Sequence, residues 1–211
     1  MTLYKWLTHR RRTTYQGIPW PVRARQWTPT VDPVLCRSGW HLATVEGISV
    51  HLPNKFPAVL WRAEGRGRSD GRSDKIAFAS ARLLAPVGTL TEAMAHALAC
   101  DFAERVLPIF EERRPGDIRP RLAIETKRAW LRGGASNMEL ERVRVAARAA
   151  AAYANDAANV AVNATVNAAN IVSVAASAAA SAAASAAGSA AATERRWQGE
   201  RILEVLSCPT A

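Results

Sequence analysis

The chain has 211 residues, a net charge of +10 and 49% hydrophobic residues, many of them alanine. That length suits one large domain or two small ones, and the basic balance favours something acidic as a contact, such as nucleic acid, an anionic surface or an acidic protein. The same numbers argue against a membrane span, since no run of about 18–20 bulky apolar residues exists, and against a disulfide framework, since the three cysteines, Cys36, Cys100 and Cys208, are odd in number and far apart.

The charge is uneven. Residues 1–80 carry 13 Lys and Arg against 5 Asp and Glu, a balance of +8, while the rest of the chain has 15 against 13. Electrostatic arguments therefore belong to the N-terminal part. The opening "MTLYKWLTHRRRTTY" has no apolar run resembling a signal peptide. The expectation is a soluble protein of a bacterial host cytoplasm, with virion association left open.

From Leu3 to about Pro86 the texture is β-like, with short apolar runs broken by Pro and Gly. "VEGISVHL" reads as a short helix or a strand, with helix the preferred reading. "AVLWRAEGRG" alternates as a half-buried strand does, and "KIAFASARLL" reads as its partner. "GRGRSDGRSD" between them reads as a polar, Gly-rich connector. Four of the seven tryptophans lie in the first 45 residues, as anchors of a small core.

Near Val87 the pattern turns helical. Thr91 is placed to cap a helix in which Leu98, Phe102, Val106, Ile109 and Phe110 recur at helical spacing. Pro108 is a kink or break point. "RRPGD" closes that helix, and Asp117 is placed to cap the next, which buries a subset of Leu122, Ile124, Ala129 and Trp130 and ends at Gly133-Gly134. Ser136 or Asn137 starts a third helix. Then Asn recurs every four residues from Asn155 to Asn167, and Ser every four from Ser173 to Ser189. Alanine is the strongest helix former, and a four-residue polar repeat draws a slowly turning stripe along a helix. The tract reads as packed helix with at least one fold-back. Asn159, Asn163, Ser177, Ser181 and Ser185 are its candidate helix–helix contacts. A last amphipathic helix begins near Thr193, with Trp197, Ile202, Leu203 and Leu206 to pack on the bundle.

The expected fold is therefore α+β: a basic β-rich domain over residues 1–86, then an Ala-rich antiparallel helical bundle over 87–211.

Candidate chemistry is sparse. "CRSGWH" places Cys36 and His41 five residues apart, with His51 downstream; the close pair offers two ligands where zinc wants three or four, and no CxxC or HxxxH accompanies them. Neither metal nor cofactor is expected. A Cys36–His41 nucleophile pair is one chemical reading, and a buried structural turn is the other. Glu64 on a strand, with His41 across a cleft, is the pair an ADP-ribosyltransferase-like or hydrolytic enzyme would use. In "HRRRTTYQGIPWPVRARQW", Arg10, Arg11, Arg12, Arg23 and Arg25 interleave with Trp20 and Trp27. Arginine neutralises phosphate and exposed aromatics stack bases, but buried tryptophans with solvated arginines between them give the same string.

Two resemblances follow from particular residues. Cys36, Gly39, Trp40 and His41, the strand from Trp61 to Gly67 and Lys75 resemble a family of small domains in phage and bacterial proteins, over about the first 85 residues. That family offers no catalytic role to carry over. Val106, Leu107, Phe110, Glu111, Pro115, Asp117, Arg119, Pro120, Ala123, Ile124, Glu125, Arg128 and Trp130, followed by Ala-rich helices, resemble the helical immunity proteins of bacterial toxin systems and the Ala-rich regions of actinobacteriophage proteins, over residues 100–206. The immunity resemblance implies binding and blocking rather than catalysis. Where those relatives carry His and charged residues in the helices, this chain carries Asn and Ser.

Three function classes stand. The first is a non-enzymatic protein-binding module of a phage or mobile element, with a host protein, a toxin or a second copy of itself as partner. The second is a nucleic-acid binder using the Arg/Trp segment. The third is an enzyme using His41 and Glu64.

Overall fold

A computed structural model describes residues 1–20, 23–152, 179, 181 and 190–208. The chain divides into two compact units, one of residues 1–92 with 196–211, the other of residues 93–195.

The first unit is a closed antiparallel barrel. Strand β1 (Leu3–Thr8) is followed by β2 (Trp40–Ala43), helix α1 (Val45–Val50) and the long strands β3 (Ala58–Gly71) and β4 (Lys75–Leu90). Around the barrel the order is β1-β2-β4-β3. β1 pairs with β3 from Leu3↔Ala63 to Thr8↔Ala58, and β2 with β4 from Trp40↔Phe78 to Ala43↔Lys75. β3 and β4 pair from Ala58↔Leu90 to Gly71↔Ile76, with register shifts at Leu60/Trp61, Arg62/Ala63 and Arg66/Ser69. Such irregularities bend and twist a ribbon, which a four-stranded sheet needs in order to close.

The Gly-rich segment expected as a connector is mostly strand. Only Arg72, Ser73 and Asp74 lie between β3 and β4. Pairing with β4 satisfies backbone groups that the local sequence leaves indifferent, so tertiary context overrides propensity. β2 is four residues long, and beyond it the loop of residues 25–31 runs along β4. Arg25 N–H donates to Leu83 O at 2.7 Å, Thr28 N–H to Ala81 O at 2.9 Å and Val31 N–H to Ala79 O at 2.9 Å. Leu3, Leu7, Trp20, Leu42, Trp61, Ala63, Ala81 and Leu83 form the barrel core, with Trp40, Val59, Ile76 and Phe78 at its margin.

The second unit is helical. Helix α2 (Glu92–Arg113) runs through Pro108 without a break and buries Leu98, Phe102, Val106 and Phe110. It stops at Arg114–Gly116, where Gly116 has a φ of +91°. Helix α3 (Arg119–Leu131) carries Pro120 in its first turn, where a missing N–H costs nothing. Asp117 accepts the first backbone N–H of α3, from Arg119, at 3.3 Å, but it stands one residue before the cap position. Ile118 holds the cap position, and the Asp117 carboxylate takes the Arg119 guanidinium at 2.6 and 2.8 Å. α3 buries Ala123, Ile124 and Lys127, and leaves Leu122 exposed. Helix α4 (Asn137–Ala152) opens with a reciprocal cap. Ser136 Oγ accepts from Glu139 N–H at 3.2 Å, and Ser136 N–H donates back to Glu139 Oε2 at 2.7 Å.

Helix α5 (Ala190–Ser207) contains Thr193 within its length, so Thr193 is not its cap. Its residues from Arg196 onward belong to the barrel unit rather than to the helices. There Ile202 and Leu206 are buried, Gly88 lies against Leu206, and Gly199 lies against the Val45 backbone. In the Ala/Ser tract Ala179 is helical and buried and Ser181 is helical and exposed. Asn159, Asn163, Ser177 and Ser185, and the expected fold-back, lie outside the described residues. Among the described residues no helix is long and apolar enough to cross a membrane.

Candidate functional site

The barrel unit holds a cavity of about 520 Å³, bounded by β1, β2, the start of β4, the Thr13–Trp20 loop and the Cys36–Gly39 turn. The turn is set by Val34 and Ser38, which exchange backbone hydrogen bonds at 3.2 and 2.9 Å, with Cys36 at a φ of +64°. Asp70, at the far end of β3, holds it from outside by accepting from Leu35 N–H at 2.7 Å. α1 forms because Thr44 caps it, accepting from Gly47 N–H at 3.3 Å and donating to Ser73 O at 2.6 Å. Gly47 lies against the Asp74 carbonyl, leaving no room for a Cβ. That close approach brings His51 Nε2 to 3.1 Å from Asp74 Oδ2.

Five cavity-lining side chains meet at this corner: Lys5, Cys36, His41, His51 and Lys75. Lys5 Nζ donates to His41 O at 3.0 Å and sits 5.2 Å from the centre of the Trp20 ring. Lys75 Nζ donates to Cys36 Sγ at 3.3 Å. Burial, and then the nearby Lys75 charge, hold the Lys5 ammonium down to about 8. Burial, followed by the charges of Lys5 and Lys75, holds His41 below the usual imidazole range, against a raising hydrogen bond to the Gly39 backbone. Burial and Lys75 lower His51 too, with Asp74 opposing.

These contacts place each residue singled out in the sequence. Cys36 and His41 are brought together, but not as a nucleophile and its base. His41 Nε2 accepts the Cys36 backbone N–H at 3.0 Å. An imidazole nitrogen that accepts is unprotonated, so His41 is the neutral ring with its proton on Nδ1. The Cys36 thiol faces Lys75 instead. Glu64 does not join them: it pairs with Arg82 at 2.8 Å and does not line the cavity. Among the described residues no group of three or more His, Cys, Asp or Glu is placed to hold a metal ion.

The Arg/Trp segment also separates. Trp20 is a core residue, 4% exposed, meeting Trp40 edge to face at 4.9 Å. Trp27 is half-buried beneath the guanidinium groups of Arg66 and Arg82, 4.0 and 4.5 Å from its ring centre. Arg11 lies 5.1 Å from the Trp61 ring centre, and Arg12 donates to Gly17 O at 2.8 Å. Arg10, Arg12, Arg23 and Arg25 are exposed, but Trp20 and Trp27 give them no free stacking faces. Sequence reasoning misses Lys5; it sets His51 downstream of Cys36 and His41 and meets Lys75 only within a resemblance, joining neither to the site. Each is an isolated residue in its own stretch, and only strand pairing joins them.

In the helical unit the described residues form a surface of ion pairs and apolar side chains. Arg128 bridges Asp101 at 2.8 Å and Glu104 at 2.6 Å, and Arg121 forms a two-pronged pair with Glu111, both contacts at 2.7 Å. Lys127 lies 3.8 Å from the Trp130 ring centre, and Trp130 Nε1 donates to Asn137 Oδ1 at 2.7 Å. Between these charged groups α3 exposes Ile118 (64%) and Leu122, one turn apart, and α4 exposes Met138 (80%) and Val145, two turns apart. Each pair shares a helix face.

A model of the Imm-5 like putative immunity protein family matches residues 89–204. The match begins only at the last two residues of β4, so the resemblance of the first 85 residues to small phage and bacterial domains finds no support in it. No curated protein and no solved structure matches the chain. More than half of the sequence thus carries the family's pattern, and the chain belongs to the Imm-5 like putative immunity protein family.

Proposed function

We propose that this protein is an immunity-type binding protein that neutralises a partner, a toxic protein encoded beside it, by covering it through the outer faces of α3 and α4. It acts without catalysis, in the cytoplasm of a bacterium, and is encoded by a phage or mobile element. The observation that carries this reading is that the family match falls on helices whose exposed positions hold large apolar side chains. Ile118, Leu122, Met138 and Val145 have no structural need to face water, and the charged pairs Arg121–Glu111 and Arg128–Asp101 supply a polar surround. An apolar centre within a polar rim is the composition of protein interfaces.

The alternative of nucleic acid at Arg10, Arg11, Arg12, Arg23 and Arg25 keeps its phosphate contacts but loses Trp20 and Trp27 as stacking partners. The enzyme alternative loses the pairing of His41 with Glu64.

Co-expression with the neighbouring toxic gene tests the proposal. Growth protection by the wild-type chain is expected, and the double variant Ile118→Glu, Leu122→Glu should abolish it. Both positions are exposed, so unchanged circular dichroism would show that the fold is kept. Protection that survives the double variant would discard this face, and no protection by the wild type would discard the immunity reading.

A further inference from the structure

We propose that the barrel cavity is a binding site for a small organic anion, a phosphate or carboxylate on a flat apolar body, held between the ammonium groups of Lys5 and Lys75.

The first argument is an imbalance of charge. The cavity is lined by Lys5, Arg37, Lys75 and two histidines, and no Asp or Glu lines it. The carboxylate beside this corner, Asp74, is held by His51 at 3.1 Å and lies 4.0 Å from Arg72. Among the described residues neither Lys5 nor Lys75 has a carboxylate within ion-pair distance. An ammonium carries three protons. Lys5 places one on a neutral carbonyl, and Lys75 places one on a sulfur, a weak acceptor. Two cations facing one concave cavity without a counter-charge is an arrangement proteins avoid unless something supplies the charge. A concave wall of one sign also concentrates the opposite ion.

The second argument is shape. About 520 Å³ lies within the roughly 300–1,000 Å³ of small-molecule sites, and is larger than an inorganic ion requires. Trp6, Trp20, Trp40, Tyr15 and Ile18 make much of the wall apolar and aromatic. The site is thus cationic at one corner and apolar beyond it, which selects an anion with a planar body. Burial first, and the Lys75 charge second, lower Lys5, and an anion seated between the two ammonium groups would oppose both effects.

The site belongs to the barrel unit, outside the residues matched by the family model apart from their edge, so it stands or falls separately from the toxin-binding reading. Titration of the full chain with phenyl phosphate, benzoate and neutral benzyl alcohol, followed by tryptophan fluorescence, tests it. One or both anions are expected to bind, and benzyl alcohol is not. Which anion binds more tightly separates phosphate from carboxylate. Lys75→Gln and Lys5→Met should each weaken binding by about tenfold or more, while Arg62→Gln, an exposed position outside the cavity, should leave it unchanged. Should Lys5→Met not fold, calorimetry of the wild type at pH 8 in buffers of different ionisation enthalpy gives an independent reading. Proton uptake on binding is expected, from Lys5 with Lys75, His41, His51, Cys36, Tyr4, Tyr15, Arg37 and Asp74 as its charged or titratable surroundings. Anions that bind no better than benzyl alcohol, binding indifferent to Lys75→Gln, or binding without proton uptake would each overturn the proposal.

Discussion

The barrel unit buries Leu7, Leu42, Leu60 and Leu83 together with Trp6, Trp20 and Trp61, whereas α4 of the helical unit buries Ala147 and Ala150 and packs on α3. Six of the seven tryptophans, Trp197 included, lie in the barrel unit, and Trp130 alone lies among the helices. The barrel, like α2 with its buried Phe102 and Phe110, thus gains from large apolar areas removed from water, while α4 gains from a strong helix-forming backbone and its cap. The difference teaches where the barrel and α4 are fragile. The barrel is sensitive to lost volume, α4 to lost helix propensity.

The largest expected effect tests the barrel side. Leu83→Ala should cost about 3 kcal/mol by leaving a cavity, and Ala147→Gly in α4 only about 1 kcal/mol. Urea unfolding followed by tryptophan fluorescence for the barrel and by far-ultraviolet circular dichroism for the helices measures both. Equal costs would erase the contrast.

Next comes Gly199→Ala. On an open helix surface this exchange stabilises by about 1 kcal/mol. Here a Cβ would run into the Val45 carbonyl, so a loss of about 2 kcal/mol is expected from overpacking. A stabilised variant would mean that α5 is not seated against α1.

Ser136→Ala should cost about 1 kcal/mol by removing one side of the α4 cap, read from the thermal midpoint in circular dichroism, and Ser136→Asp should restore most of it. An unchanged midpoint would remove the cap from the account of this unit.

The smallest effect is in pH, and the units should differ in sign. Between pH 8 and 10.5 the unfolded chain keeps a Lys5 proton that the folded barrel has released, so rising pH stabilises the barrel. His41 and His51, also lowered, act the same way at lower pH. Burial pushes the Cys100 thiol up to about 11, so from pH 9 to 11 the unfolded chain loses that proton first and rising pH destabilises the helices. Tyr4 and Tyr15, raised by burial, also oppose Lys5 above pH 10. Urea midpoints read by tryptophan fluorescence should therefore rise from pH 7 to 9 in the wild type and stay flat in Lys5→Met. A flat wild-type profile would mean that Lys5 is not held in the enclosed corner.

Much of the helical unit was legible. Pro115-Gly116 and Gly133-Gly134 stop helices through their own backbone limits, and Ser136 with Glu139 starts one through side-chain oxygens three residues apart. These are local effects, and local sequence states them. The candidate site was legible only in part. Cys36 and His41 stood out because they are close in sequence, but Lys5 and Lys75 reach the same corner from β1 and β4, 70 residues apart in number, and no local pattern marks them. The Arg/Trp segment misled for a related reason: exposed and buried tryptophans look alike in a string, and Trp20 is placed by the core it fills.

By itself, the sequence determined the two textures, the basic N-terminal half, the short helix at Val45–Val50 and the helix ends, because periodicity, capping and chain stiffness act over a few residues. Only the tertiary structure decided that "GRGRSDG" is strand, that four strands close into a barrel with a cation-lined cavity beside β1 and β2, and that the chain from Arg196 returns to the barrel unit. Those outcomes depend on backbone hydrogen bonds and packed surfaces between residues distant in sequence, whose energies no local stretch contains.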